Sequence, residues 1–384
     1  KSELTKNVLI YNNTINFTTD YCNFEYPGAF ASNAIRIRDY SLGGPTMNNS
    51  VYDNKIYVAS KSNQPYCTPI ATGIYTSPGV FPYKSVDNKY VNNTIEAISL
   101  QEGVEAIAIQ VAYLPDNYND IFINNTLKSN NQIIRLAATN GKGSENLFIS
   151  NTLIKGENPT SDFATLRLGY CCYFDAANNI FVDTKFQNGA NFNSSNILIT
   201  QNGEKGYFNF TNRNFIDVYV TQGGSPVSNA EILANDSLGN VVFTGTTDLN
   251  GYIRLLLIEY LWNQYGYPTS SFPPTITYNT PHTIKAKSGG QGRTQTINIS
   301  QTRTIILDLN SPISEDLSPP AISGVQATGI NDNQAAISWN TNENGNSQIR
   351  YENSFEPLKC NYNLYNNASV GKLCDGAYSY QSTL

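Results

Sequence analysis

Histidine is all but missing from this chain. His282 stands alone among 384 residues, so neither a Ser-His-Asp triad nor a histidine-built metal site can be assembled. Its Pro-His-Thr setting reads as a structural strand entry. Charge is scarce as well: Asp, Glu, Lys and Arg make up 14%, about half the usual share. With a net charge of −6 and no long lysine–arginine cluster to follow a phosphate backbone, nucleic acid is not an expected partner. There is no run of eighteen apolar residues, so no membrane-spanning segment is expected. The opening residues lack the charged-then-apolar order of a signal peptide, so Lys1 is expected to follow processing or truncation. C-x-x-C is absent too. The six cysteines therefore point to disulfides rather than metal or haem, and to an oxidising, extracellular compartment. No metal and no cofactor is expected.

What is abundant is uncharged polarity from Asn, Tyr, Thr and Ser, on a chain whose 40% apolar content is that of a globular protein. Ten N-x-S/T sequons occur, at Asn12, Asn16, Asn48, Asn92, Asn124, Asn193, Asn209, Asn235, Asn298 and Asn367, each a glycosylation candidate that would suit a weakly charged exterior.

One phrase recurs: NVLIYNNTI from Asn7, SVYDNKI from Ser50, KYVNNTI from Lys89, DIFINNTL from Asp120 and NLFISNTL from Asn146, with weaker copies after it. Alignment places Asn13, Asn54, Asn93, Asn125, Asn151, Thr184 and Arg213 in one column, at intervals of 41, 39, 32, 26, 33 and 29 residues. Between copies lies a second alternating strand, such as AIRIR, EAIAIQV, QIIRLA and ATLRL. Short alternating strands at solenoid spacing predict parallel strands stacked about 4.8 Å apart around a dry core. A stacked asparagine can bond its equivalent one coil away and tolerates the left-handed conformation of a sharp corner. An antiparallel sandwich would place Asn-Gly or Asp-Gly between strands more often. Residues 1–215 resemble the NosD-like right-handed parallel β-helix regions of secreted archaeal and bacterial surface proteins.

From Ile216 the pattern becomes short strands joined by Gly-Gly-Ser-Pro, Leu-Gly-Asn and Asp-Leu-Asn-Gly turns. Residues 216–310, with the T-D-L-N-G-Y hairpin from Thr247 to Tyr252, resemble a carboxypeptidase-regulatory-like β-sandwich, which implies PHTIKAK and TRTIILDL as closing strands. The segment from Glu259 to Thr280 is longer than that domain needs and reads as a docking loop. Residues 311–320 form a linker by composition. Residues 321–384 resemble the opening of a fibronectin type III module, with Trp339 as its core tryptophan. The expected fold class is all-β: a right-handed parallel β-helix followed by two Ig-like or fibronectin-like sandwiches.

Carbohydrate-cleaving β-helices use clustered carboxylates, but the aspartates of residues 1–215 lie singly or in turns, and Asp116–Asp120 reads as an Asx-turn rather than a calcium loop. Arg36, Arg135 and Arg167 occupy outward strand positions, the last two in successive coils. They form a candidate guanidinium fork for carboxylate or sulfate groups on a polymer, against the alternative of a solvated face. Cys22 and Cys67 lie in successive loops and are expected to pair, as are Cys360 and Cys374. Adjacent Cys171 and Cys172 are left as a vicinal bridge or two thiols.

No catalytic residue is assigned. The function expected is that of a non-enzymatic extracellular structural or adhesive surface protein, a repeating subunit of a filament, sheath or surface layer. Its partners would be copies of itself or other surface-layer proteins, and glycans, with residues 321–384 making much of the contact. The alternative is a carbohydrate-binding or polysaccharide-cleaving β-helix whose catalytic part lies outside this segment.

Overall fold

The computed structural model describes residues 7–20, 31–38, 46–62, 69–77, 85–111, 117–118, 120–136, 145–169, 176–199, 206–266, 273–309, 322–331, 334–341, 347–351 and 378–382. These are almost entirely β-strand, and they divide into two compact units, Lys1–Ile313 and Ser314–Leu384.

The first unit opens as a parallel β-helix of three sheets. Leu9–Tyr11, Ser50–Tyr52, Lys89–Val91, Ile121–Ile123, Leu147–Ile149 and Ala176–Val182 form the first sheet in that order. A second runs from Thr14–Thr19 through Lys55–Ser60, Thr94–Ser99, Thr126–Ser129 and Thr152–Lys155 to Lys185–Gln187. The third runs from Ala31–Arg38 through Ile70–Ser77, Glu105–Val111, Gln132–Leu136 and Ala164–Leu168 to Ile197–Ile199. All these pairings are parallel, one coil to the next, as the repeat implied.

The first and second sheets meet at a corner two residues wide, and its first residue sets the turn. That residue is left-handed in every coil: Asn12, Asp53, Asn92, Asn124, Ser150 and Asp183 have φ between 49° and 56°. Asparagine and aspartate tolerate this conformation best among residues with a side chain. The next residue turns its side chain inward, which makes the asparagine column an interior feature. The expected column ends a coil early. Arg213 pairs with Val182, two residues before Thr184, because the chain there continues as strand instead of turning.

The first sheet is built of three-residue strands and the longer Ala176–Val182, and the inward residue of each, buried from Val51 on, stacks on the next. Tyr90, Phe122, Phe148 and Phe181 lie ring over ring, with centroids 4.6, 4.5 and 4.7 Å apart. The parallel register alone imposes that spacing, since equivalent residues lie one strand separation apart.

Position 215/216, expected as a domain boundary, falls inside one 17-residue strand, Gly206–Gln222. Its first part pairs in parallel with Ala176–Val182, and from Gly206 to Tyr219 it pairs antiparallel with the 15-residue strand Tyr252–Gly266. Phe208 and Phe210 join the core of the β-helix, while Ile216, Val218 and Val220 join a second core with Leu255, Leu257, Ile284 and Leu307. A second sheet, Val241–Thr246, Glu231–Asn235, His282–Ser288 and Gln291–Ile297, closes the sandwich. The docking-loop expectation is corrected at its start: Glu259–Gly266 is strand, and Trp262, 1% exposed, stacks on Phe210 at 5.5 Å and plugs the end of the β-helix core.

In the second unit Ile322–Asn331 pairs antiparallel with Gln334–Thr341, which carries half-buried Trp339, and Ser347–Tyr351 pairs with Tyr378–Ser382.

Candidate functional site

The three arginines share one outward column of the third sheet. Arg36 pairs with Tyr75, Tyr75 with Gln110, Gln110 with Arg135, and Arg135 with Arg167. The column is not an open face. Arg36 is exposed, with its guanidinium 5.2 Å from the Tyr75 ring centroid, but Tyr75, Gln110 and Arg135 are enclosed and Arg135 has no exposure at all. The fork is occupied from within. Arg135 Nη2 and Arg167 Nη1 each lie 2.7 Å from Glu105 Oε1, and Arg135 Nε donates to Gln132 Oε1 at 2.8 Å. Burial pushes the Glu105 carboxyl up, but the guanidinium of Arg135, followed by that of Arg167, more than offsets it and holds the group below the ordinary carboxylate range. Glu105 lies at the opposite end of its strand from Gln110, so the sequence pattern of the arginines alone did not reveal it.

The inward corner asparagines form a hydrogen-bonded ladder. Oδ1 of Asn54, Asn93, Asn125 and Asn151 accepts from the Nδ2 of the preceding asparagine at 2.9–3.0 Å, starting at Asn13. The same oxygens accept the preceding backbone N–H at 2.9–3.1 Å. A second ladder, not foreseen, runs along the other end of the first sheet: Asn49 donates to Asn88 and Asn88 to Asp120, both at 2.8 Å, and Asn146 donates to Asn179 at 3.1 Å. Its sequence signal is a fixed offset: 49, 88, 120, 146 and 179 each precede a member of the first column by five. Asp120, placed in an Asx-turn by the sequence, is a fully buried rung that also accepts from Thr76 Oγ1 at 3.0 Å.

A cleft of about 430 Å³ opens beside the second sheet, lined among others by Glu96, Glu102, Lys128, Glu157 and Leu100. Lys128 Nζ lies 2.8 Å from Glu96 Oε1, and that bond raises the lysine above its ordinary value. Glu102 is engaged too, accepting from the N–H and Oγ of Ser161 at 3.1 and 3.0 Å. Among the described residues no group of three or more His, Cys, Asp or Glu is placed to hold a metal ion, and no helix is long and apolar enough to cross a membrane. His282 is completely buried in the sandwich, and desolvation lowers its pKa against the opposing pull of Asp236.

All six cysteines, Cys22, Cys67, Cys171, Cys172, Cys360 and Cys374, lie outside the described residues, as does Asn367. Of the other sequon asparagines, Asn12, Asn16, Asn48, Asn92, Asn124 and Asn193 are exposed, Asn235 and Asn298 are half-buried, and Asn209 is 6% exposed with Oδ1 accepting from the Asn178 N–H.

No family model and no curated protein sequence matches the chain. Two solved structures are similar in part: crystal structures of BcpA, the major pilin subunit of Bacillus cereus, and of a single-residue variant of it. Each match has 16% identity and a TM-score of 0.14, over 30% of this chain and 32% of the other. The chain thus spans about a third of the pilin's length.

Proposed function

We propose that this is a non-enzymatic extracellular structural or adhesive protein, a repeating subunit of a cell-surface filament, sheath or surface layer. The observation that carries this reading is the strand Gly206–Gln222, which belongs to the sheets of both the β-helix and the sandwich. A hinge between the two would need freely rotating backbone. Here the antiparallel partner Tyr252–Gly266 holds the backbone without a break across the junction, and Asp183 Oδ1 accepts the Phe215 N–H on the other side, so tension on one core passes to the other through hydrogen bonds. The rest of the unit is built for rigidity too, with asparagine ladders, ring stacks, and guanidinium groups held by a carboxylate of the same sheet.

The sandwich also offers an assembly edge. Arg303–Asp308 pairs with Gly206–Gln222 on one side and, among the described residues, with nothing on the other. An edge strand of this kind can take a strand from another copy. Electron microscopy of the native cell surface, with labelling against this chain, tests the reading: ordered polymers carrying the label are expected, and label confined to dispersed monomers overturns it.

A second reading, oligosaccharide binding, is favoured by the cleft with Glu96, Lys128 and Glu157. Titration with neutral and acidic oligosaccharides, in the chain and in its Glu157→Gln variant, distinguishes it. Saturable heat that the substitution abolishes supports that reading, and its absence leaves the structural one.

A further inference from the structure

The outer side of the first sheet of the β-helix is apolar. The residues flanking each buried middle position face away from the core, and one such column reads Tyr11, Tyr52, Val91, Ile123, Ile149 and Val182 in register. The column beside it is Leu or Ile at four of six coils, interrupted by Ser50 and Lys89. Three-residue strands and six coils make this stripe about 10 Å wide and about 25 Å long. Tyr11 is 53% exposed, and most of the rest are half-buried by their own neighbours. The exposed part is the kind of apolar surface from which a covering group would exclude water.

Both long edges of the stripe are rows of left-handed corner residues, and four of these are sequon asparagines: Asn48 on one edge, and Asn12, Asn92 and Asn124 on the other. Each is exposed, and its side-chain amide enters no hydrogen bond among the described residues. The adjoining ladder asparagines, by contrast, use their amides fully. Asn and Asp meet the backbone need of the corner alike, but the residue two positions later divides them. Asp53, Asp87 and Asp183 each have lysine there, at Lys55, Lys89 and Lys185. Four of the six asparagine corners have Thr or Ser instead, the exceptions being Asn7 and Asn178. Ser150, with Thr152 two residues on, shows that a threonine row in the second sheet also supplies a hydroxyl at this position, but only at an asparagine corner does that hydroxyl complete a glycan acceptor.

We propose that Asn12, Asn48, Asn92 and Asn124 carry N-linked glycans, and that these sugars lie over the apolar stripe of the first sheet. The proposal rests on the extracellular reading of the chain. In each transfer the asparagine Nδ2 forms a bond to C1 of a pyrophosphate-activated sugar, the C1–O bond to the pyrophosphate breaks, and the amide loses one proton. The donor and its transferase are separate from this chain. The less polar C–H faces of the sugars would cover Tyr11, Tyr52 and Ile123 as a neighbouring protein would, while their hydroxyls face water. The same geometry excludes Asn209, whose Oδ1 is bonded inside the molecule.

Glycopeptide mapping of the protein purified from its native source should find glycan on the peptides of Asn92 and Asn124 and none at Asn209. A variant combining Thr14→Val, Ser50→Ala, Thr94→Val and Thr126→Val removes the acceptor hydroxyls while keeping every corner asparagine. Expressed in the same host, it should lose the glycan mass, bind a hydrophobic dye several-fold more strongly and self-associate in sedimentation; Thr211→Val should do none of these. Unmodified Asn92 and Asn124 in the native protein overturn the proposal. So does a glycan-free variant that neither binds dye nor associates, and so does a native polymer in which a second copy sits on the stripe. The structural reading is judged apart from this, by whether labelled polymers exist at all.

Discussion

Asn93 and its neighbour Asn92 share a side chain and little else. Asn93 accepts the backbone and side-chain N–H groups of Asn54 and donates from Nδ2 to the Val51 carbonyl at 2.9 Å and to Asn125 Oδ1 at 3.0 Å. Asn93→Ala would leave those partners unsatisfied in a dry core, at about 1–3 kcal/mol each. A loss on the order of 3–5 kcal/mol is expected in urea denaturation. Asn92→Asp keeps a residue suited to the left-handed corner and breaks no bond, so it should move stability by no more than about 0.5 kcal/mol. Equal effects at the two positions would remove the ladder from the explanation of the repeat.

Two buried titratable groups fix the response to acid at the same scale. The folded pKa of His282 is depressed, so the unfolded chain takes up a proton first and stability falls as pH drops below about 6.5. Glu105 is depressed as well, so the stability from its pair with Arg135 and Arg167 is present above about 4.3 and is lost as pH falls through the folded value. Midpoints measured in urea from pH 7 to 3 should therefore fall in two steps. His282→Gln should flatten the upper step, and Glu105→Gln should shrink the lower one, to which the depressed carboxyls of Asp217 and Asp236 also contribute, while costing about 3–5 kcal/mol at pH 7 by leaving Arg135 buried beside a neutral partner.

Among the elements, the paired strands Gly206–Gln222 and Tyr252–Gly266 change allegiance along their length. Asn212 faces Tyr260 and Arg213 faces Ile258, so Glu259 is an extra residue, a bulge at the point where the side chains switch from one core to the other. Its carboxyl accepts from Asn212 and Asn214 at 2.8 and 3.1 Å, yet burial wins and pushes its pKa up. A raised carboxyl is a cost at neutral pH that shrinks as pH falls toward its folded value. Glu259→Gln should therefore raise the midpoint at pH 7 more than at pH 4.5. Trp262→Ala, which uncovers Phe210 at the end of the β-helix, should cost about 3–5 kcal/mol.

The coils were legible in the sequence because N-N-T repeats at a corner that physics restricts to a few residue types. The junction was not, because FNFTNRNFIDVYV alternates without a break while its parallel partner changes from Ala176–Val182 to Arg303–Asp308, and the identity of a partner leaves no local mark. Glu105 was hidden for a similar reason: its contacts run across two coils, 62 residues from Arg167.

At the scale of the whole molecule, a β-helix is close to one-dimensional, because each coil touches mainly its neighbours, and such arrays fray from their ends. The shared strands bear on this directly, since they tie the last coil to the sandwich core in the unit Lys1–Ile313. Melting the sandwich would withdraw Trp262 and uncover Phe208 and Phe210, so the two cores should lose stability together. The chain has two tryptophans, Trp262 at the junction and Trp339 in the second unit, so Trp339→Phe leaves a single reporter at the changeover point. In that variant, urea unfolding followed by tryptophan fluorescence and by far-ultraviolet circular dichroism should give coincident transitions for the strand content of the first unit, with the steep slope of a large cooperative unit. A junction that fluoresces as unfolded while most of the β-signal persists would mean that the shared strand joins the two cores without coupling them. Force on the sandwich would then peel it from the β-helix instead of being transmitted along it.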